Sequence, residues 1–324
     1  MSTANLPPSA PFDRAAVRAH RDRAALHFGD NDFLFRETAA RLVDRLGDIR
    51  RAFPVALDLG CHLGGLASEL LARPGTEWVA QCDLSPAMAR TARAAGGGAT
   101  LSADEEALPF APGTFDLITS NLSLHWVNDL PGALTQIRAA LKPDGLFLGC
   151  LLGGATLTEL RTAFMEAELA VEGGVSPRVS PFADVRDGGD LLTRAGFVLP
   201  VADLDTIDAR FAGPLELMAG LRAMGEANAV HARRKTFSRR RTVLEAARLY
   251  AGAEAGAGAG AAAAAEPDPG AETSARFDVI WLAGWAPGPG QPKPLAPGSA
   301  TGRLADALKA EEHPAGEKPG RPTR

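Results

Sequence analysis

The sequence predicts an α/β domain: a doubly wound parallel sheet with a ligand held at the ends of its strands. Three observations predict it. Short apolar runs alternate with helical periods from Val55 to Leu151. The first run, within PVALDLGCHLGG, ends in a carboxylate and glycines. The second, Trp78 to Cys82, again ends on an acid, Asp83.

From Asp13 to Leu26 the composition is helical, and a second helix from Glu37 to Arg50 places Ala39, Leu42, Val43 and Leu46 on one side. Residues 1–11 are expected to be disordered. Val55 to Leu59 then reads as a buried strand turning sharply into a helix that starts near Gly65 and stops at Pro74 and Gly75. Gly60, Gly64 and Gly65 allow close backbone approach to a ligand, and the helix start offers unpaired N–H groups. Asp58 ahead of the glycines favours a ligand with a cationic aminoacyl end, because a carboxylate would repel a pyrophosphate. His62 stands where a middle glycine would come.

Asp83 lies 23 positions beyond Gly60, where a carboxylate can accept both ribose hydroxyls of an adenosine; the alternative is a solvated residue at the sheet edge. Ser85 and Pro86 open the next helix, to Ala95. Thr100 to Ala103 is a third strand closing at Asp104, and Phe115 to Ser120 a fourth, followed by NLSLHWVNDL. Asn121, His125 and Trp126 in that segment are the candidate catalytic residues; for His125 and Trp126 the alternative is a packed connection. A helix from Asp129 to Leu141, a strand from Leu146 to Leu151 and a helix from Thr156 to Ala170 come next. Gly188 to Gly196 precedes a strand from Phe197 to Val201. Near the end, Ile280 and Leu282 alternate against Val279 and Trp281 in a final strand, Phe277 to Trp285.

Composition bounds the partners. With 324 residues, 46% hydrophobic and a formal charge of −5, the chain can bury a real core and has no general attraction for nucleic acid. Six histidines and three cysteines, Cys61, Cys82 and Cys150, are scattered, without metal-ligand or disulfide spacing, so no metal site is expected. The scattered cysteines fit a reducing cytoplasm. The start, MSTANLPPSAPF, lacks the basic and apolar segments of a leader, and no apolar run reaches the roughly 18 residues of a membrane span. One local exception to the acidic balance is His231 to Arg241, HARRKTFSRRR, with six Lys or Arg residues. It reads either as a solvated helical face or as a docking surface for an acidic protein partner; RNA is the weaker reading without stacking aromatics.

The string from Asp58 to Leu151 resembles the class I S-adenosylmethionine-dependent methyltransferases motif by motif. That resemblance implies a Rossmann-like sheet of seven strands with an antiparallel last strand, and S-adenosyl-L-methionine as cofactor. It puts Asp58, Gly60, His62 and Gly64 at the methionine end, Asp83 and Leu84 at the ribose, and Asp104 and Glu105 at the adenine, with Asn121 completing the set. Glu105 and Glu106, read as adjacent loop carboxylates, are otherwise surface charge. The segments NLSLHWVNDLPGALTQIRAALKPDGLF, GGATLTELR, EGG, SPF, MGE and FDVIWLAGWAP with PGSA, and the opening FDRAAVRAHRDRAA, resemble more narrowly the mitochondrial complex I assembly factors of this superfamily and their bacterial relatives.

The narrower resemblance implies hydroxylation of an arginine on a core hydrophilic subunit of NADH:ubiquinone oxidoreductase. Together with the cysteines and the start of the chain, the expected location is cytoplasmic, with peripheral contact at the inner membrane during assembly. A carboxyl O-methyltransferase of the biotin-precursor type and a noncatalytic assembly chaperone are the alternatives. The expected organisation is an N-terminal helical extension over 1–50, a methyltransferase core over 51–205, a helical cap with a low-complexity insertion over 206–275, a final core strand over 276–290 and a loose tail over 291–324.

Overall fold

The computed structural model describes residues 10–258, 272–291 and Lys309. The disorder expected for residues 1–11, most of the low-complexity insertion and most of the tail, with the short helix expected at LADALKAEE, lie outside the described residues. Met1–Pro289 forms one compact unit, which holds all the helices and strands named here; Gly290–Arg324 forms a second.

Two helices come first, α1 (Arg14–Ala24) and α2 (Phe33–Gly47). The Asp13 side chain caps α1 by accepting from the Ala16 N–H, satisfying one of its orphan donors. The alternating core follows as β1 (Val55–Leu59), α3 (Gly65–Ala72), β2 (Trp78–Asp83), α4 (Pro86–Ala95), β3 (Ala99–Ser102), β4 (Phe115–Asn121), α5 (Leu130–Ala140) and β5 (Leu141–Gly153). After it come α6 (Thr158–Glu172), α7 (Val185–Arg194), β6 (Val198–Phe211), α8 (Pro214–Ala223), α9 (Arg240–Gly258) and β7 (Thr273–Trp285). The sheet has seven strands in the order β3-β2-β1-β4-β5-β7-β6. The strands from β3 to β5 pair in parallel, and β7 runs antiparallel to both β5 and β6. This is the expected class I methyltransferase topology. The strand order reverses between β1 and β4, which opens a crevice at their carboxyl ends.

Period-two alternation sorts the side chains into two cores, one on each face of the sheet. Ala56, Leu117, Leu148, Val279 and Trp281 pack with α2 and α3, while Leu57, Leu59, Ile118, Phe147, Ile280 and Leu282 pack with α5 and α7. Ala56 and Asp58 share a face, so Asp58 is delivered to the α2–α3 side. That parity places the acid in its cavity.

Two elements depart from expectation. β6 continues to Phe211 instead of ending at Val201, pairing with β7 over Val198 to Phe211. The strand lies at the sheet edge, and its Asp203, Asp205 and Asp208 erase the apolar signal; Asp203 and Asp205 pair with Arg45 and Arg41 of α2. The basic run is not a helical face either. Only Arg240 and Arg241 enter α9; residues 231–239 form turns and irregular chain. Arg233 and Arg234 are engaged by Asp13 and Glu172, whereas Lys235, Arg239, Arg240 and Arg241 are exposed.

Candidate active site

The candidate residues fall into three adjoining groups. The first is a cavity of about 540 Å³ between α2 and α3 at the end of β1, lined by Asp58, Gly60, His62, Gly65, Phe35 and Asn121 among others. Asp58 is 1% exposed, and neither of its carboxylate oxygens has a hydrogen-bond partner among the described residues. Burial, reinforced by the charge of Asp83, pushes its pKa up to about 7. A buried acid in this state lacks a cationic donor.

His62 replaces the expected middle glycine and takes a left-handed conformation, φ 48°. Its ring stacks on Phe28 at 5.4 Å, meets Phe35 edge-on at 4.5 Å, and its Nε2–H donates to the Asn121 carbonyl at 3.0 Å. Burial, then the Arg21 charge, lowers its pKa, so the imidazole is neutral. Asn121 is itself a clamp: its Nδ2 donates to Phe35 O, and its Oδ1 accepts from Thr38 Oγ1 at 2.7 Å. Gly64 precedes α3 with φ 83°, and a Cβ there would meet Gln81. At Gly60, φ 74°, a Cβ would fall 2.2 Å from Ser123 Oγ, so this glycine serves a close internal contact.

The second group is an acid cluster sealed by α1. Asp83 accepts from the backbone N–H of His62 and of Ser85, and Arg21 Nη1 lies 3.7 Å away. Asp104 accepts from Arg14 at 2.5 Å and from the Glu106 amide. Leu84 packs against the small core of Phe12, Val17 and Trp126. Glu105 is not surface charge: it is fully buried, accepts from Arg21 at 3.0 Å, from Ser123 Oγ at 2.5 Å and from Arg14. Burial would raise its pKa, but Arg21 and Arg14 together hold it down to about 2. Nor is Glu106 idle, since its Oε1 accepts from the Asn128 amide at 2.7 Å. Arg14 and Arg21, seven positions apart on one face of α1, were not among the expected site residues.

The third group is built on the loop after β4. His125 Nε2 lies 2.9 Å from Glu226 Oε2, and Trp126 Nε1–H donates to the same oxygen at 2.8 Å. Burial opposes ionisation of Glu226, but His125, then Arg21 and Trp126, hold its pKa below the ordinary value. Glu226 was also missed; its only signal was its place in the MGE segment. No group of side chains suited to holding a metal ion occurs among the described residues.

Residues 57–149 match the methyltransferase domain family. The chain is 40% identical over 304 residues to the mitochondrial arginine-hydroxylase NDUFAF5 of Danio rerio, covering 92% of this chain and 89% of that protein. It is 37% identical over 222 residues to a malonyl-[acyl-carrier protein] O-methyltransferase of Halorhodospira halophila, covering 67% of this chain and 73% of that protein. Its fold is similar to the YcgJ protein of Bacillus subtilis, with a TM-score of 0.51 at 14% identity over 78% of this chain and 99% of that one. The arginine-hydroxylase relative is mitochondrial, which overturns the cytoplasmic location expected from the cysteines and the start of the chain. No helix among the described residues is long and apolar enough to cross a membrane.

The cofactor of the methyltransferase fold is S-adenosyl-L-methionine. The residues present fit its methionine end, where the unpartnered Asp58 matches an ammonium. At the adenosine end the acids Asp83 and Asp104 stand at the expected strand ends, with their oxygens engaged by backbone amides and the arginines of α1.

Proposed function

We propose, since this chain belongs to the arginine-hydroxylase family within the methyltransferase fold, that it is an enzyme of complex I assembly that hydroxylates an arginine side chain of a core hydrophilic subunit. One observation carries this reading. The similarity to the arginine hydroxylase runs along 92% of the chain, far beyond the methyltransferase domain at residues 57–149.

In this reading Asp58 receives the ammonium of S-adenosyl-L-methionine, with Gly60, His62 and Gly64 shaping the turn beneath it. Asp83 and Leu84 serve the ribose and Asp104 the adenine end, while Glu105, expected there, lies buried behind them and holds Arg14 and Arg21 of α1. When bound, the cofactor supplies a sulfonium centre with an activated methyl group. Asn121 fixes α2 against β4 and so sets the wall of the cavity. His125 and Trp126 hold Glu226 in place at the substrate side, and the apolar packing around them excludes water.

A methyl transfer to a carboxylate is the alternative, favoured by the similarity to the O-methyltransferase. Such a transfer needs orientation more than a general base, because the sulfonium already activates the methyl group. Mass spectrometry of the complex I subunit from cells with and without the gene separates the readings. A gene-dependent gain of one oxygen on an arginine is the expected result. A gain of one methylene would move the assignment to protein methylation, and neither change would leave a chaperone or a small-molecule methyltransferase.

A further inference from the structure

We infer that a second cavity, behind the loop that follows β4, is the seat of the substrate side chain, and that Glu226 anchors a guanidinium there. The inference rests on the arginine-modifying reading and places its substrate. The cavity is about 260 Å³, with walls from Leu152, Leu157, Leu160, Phe164, Phe182 and Leu221. Glu226 also lines it, with a side chain only 5% exposed.

The carboxylate is half satisfied. Its Oε2 takes both donors, His125 and Trp126, whereas Oε1 is buried without a hydrogen-bond partner among the described residues. A buried carboxylate oxygen left in this state costs desolvation free energy that a charged donor recovers. The surrounding surface is apolar, so the ligand that suits it has a hydrocarbon stem and a cationic tip. Phe182 presents an aromatic ring, and the Phe164 ring already carries the Arg178 guanidinium 5.7 Å from its centroid; against such a wall a planar, weakly hydrated guanidinium packs better than a compact ammonium.

The cations already at the cavity do not fill this role. Arg178 lies over the Phe164 ring but its guanidinium is engaged by Glu168 and Ser238, Arg222 is exposed, and neither is bonded to Glu226. Position supports the assignment too. One loop borders both cavities: Asn121 at its start lines the Asp58 cavity and Trp126 lines this one. The carboxyl ends of β4 and β5 are where a doubly wound sheet brings reactants together.

The test uses the full chain and three probes: N-acetyl-arginine methylamide, its neutral citrulline counterpart and the lysine counterpart, titrated by ligand-observed NMR. The arginine probe is expected to bind at least about tenfold more tightly than citrulline, a difference of about 1.4 kcal/mol, and more tightly than lysine. Glu226→Gln, which keeps an oxygen for Trp126, should erase the preference over citrulline. Leu160→Trp, which fills the cavity and leaves the Glu226 carboxylate unsubstituted, should block the arginine probe and covers the case in which the Gln variant fails to fold. Equal binding of arginine and citrulline, or arginine binding unchanged in a folded Glu226→Gln, overturns the inference; lysine binding as tight as arginine overturns the guanidinium assignment. The two readings fail separately. Arginine binding through Glu226 without any gain of oxygen on the subunit removes the hydroxylase reading and keeps the pocket. An undiminished gain of oxygen with Glu226→Gln removes the pocket and keeps the reading.

Discussion

At the scale of the residue, Asp58 and Glu105 are both buried acids, and their surroundings push them in opposite directions. Among the described residues no cation lies beside Asp58, which is raised to about 7, while Glu105 lies between two guanidiniums and is lowered to about 2. The signs follow. A raised folded pKa means that the Asp58 contribution to stability is full below 3.8 and is lost as pH rises towards 7, on the order of 1 kcal/mol per pH unit in the ligand-free protein. Asp58→Asn should therefore flatten this part of the profile, making the ligand-free protein more stable at pH 7 while weakening its hold on S-adenosyl-L-methionine. Urea unfolding at pH 5 and pH 7, with calorimetry of the cofactor, checks both; parallel pH slopes in the two proteins would contradict the assignment. Asp58 was legible in the sequence because a strand-end acid followed by glycines is a local signal. Arg21 and Glu226 were not, since their partners lie 84 and 101 positions away, at Glu105 and His125.

At the scale of the element, α1 is held to the sheet by charge as well as by apolar contact. Arg21 is 1% exposed and bridges Glu105, Ser123 and Asp83, the ends of three separate strand–loop units. Arg21→Met should cost about 3–5 kcal/mol, because it leaves buried Asp83 without its guanidinium and buried Glu105 with Arg14 alone. Adding Glu105→Gln to it should recover part of that loss, and a double variant no more stable than the single one would show that the pair is not the source. The Glu105 contribution is present above 4.5 and is lost as pH falls towards 2, so the Arg21 effect should shrink in acid. The strands β1, β2 and β4 were readable almost to the residue, for their apolar runs are short and bounded. β6 was read at less than half its length because an edge strand presents charged residues that pair with α2. Of the two readings of the basic run, the helical face fails, since composition alone does not show that two of its arginines turn aside to Asp13 and Glu172.

At the scale of the whole molecule, an acidic chain of net charge −5 carries an exposed group of cations, Lys235, Arg239, Arg240 and Arg241, beside a fully exposed Phe237. A local field of this kind steers an acidic protein surface without making the whole chain basic. Reversing Arg239, Arg240 and Arg241 to Glu should reduce pull-down of the complex I subunit several-fold at low salt and leave cofactor affinity unchanged; undiminished pull-down would return the cluster to ordinary surface. The bridge made by Arg21 has a consequence in time as well as in space. Ser123, one of its three partners, lies 102 positions further along the chain. During synthesis α1 is made before every strand of the sheet, yet its arginine has nowhere to be buried until the loop after β4 has been added. α1 is thus secured only after β1 to β4 have been made, and its docking marks the moment at which the point where the strand order reverses, between β1 and β4, is in place.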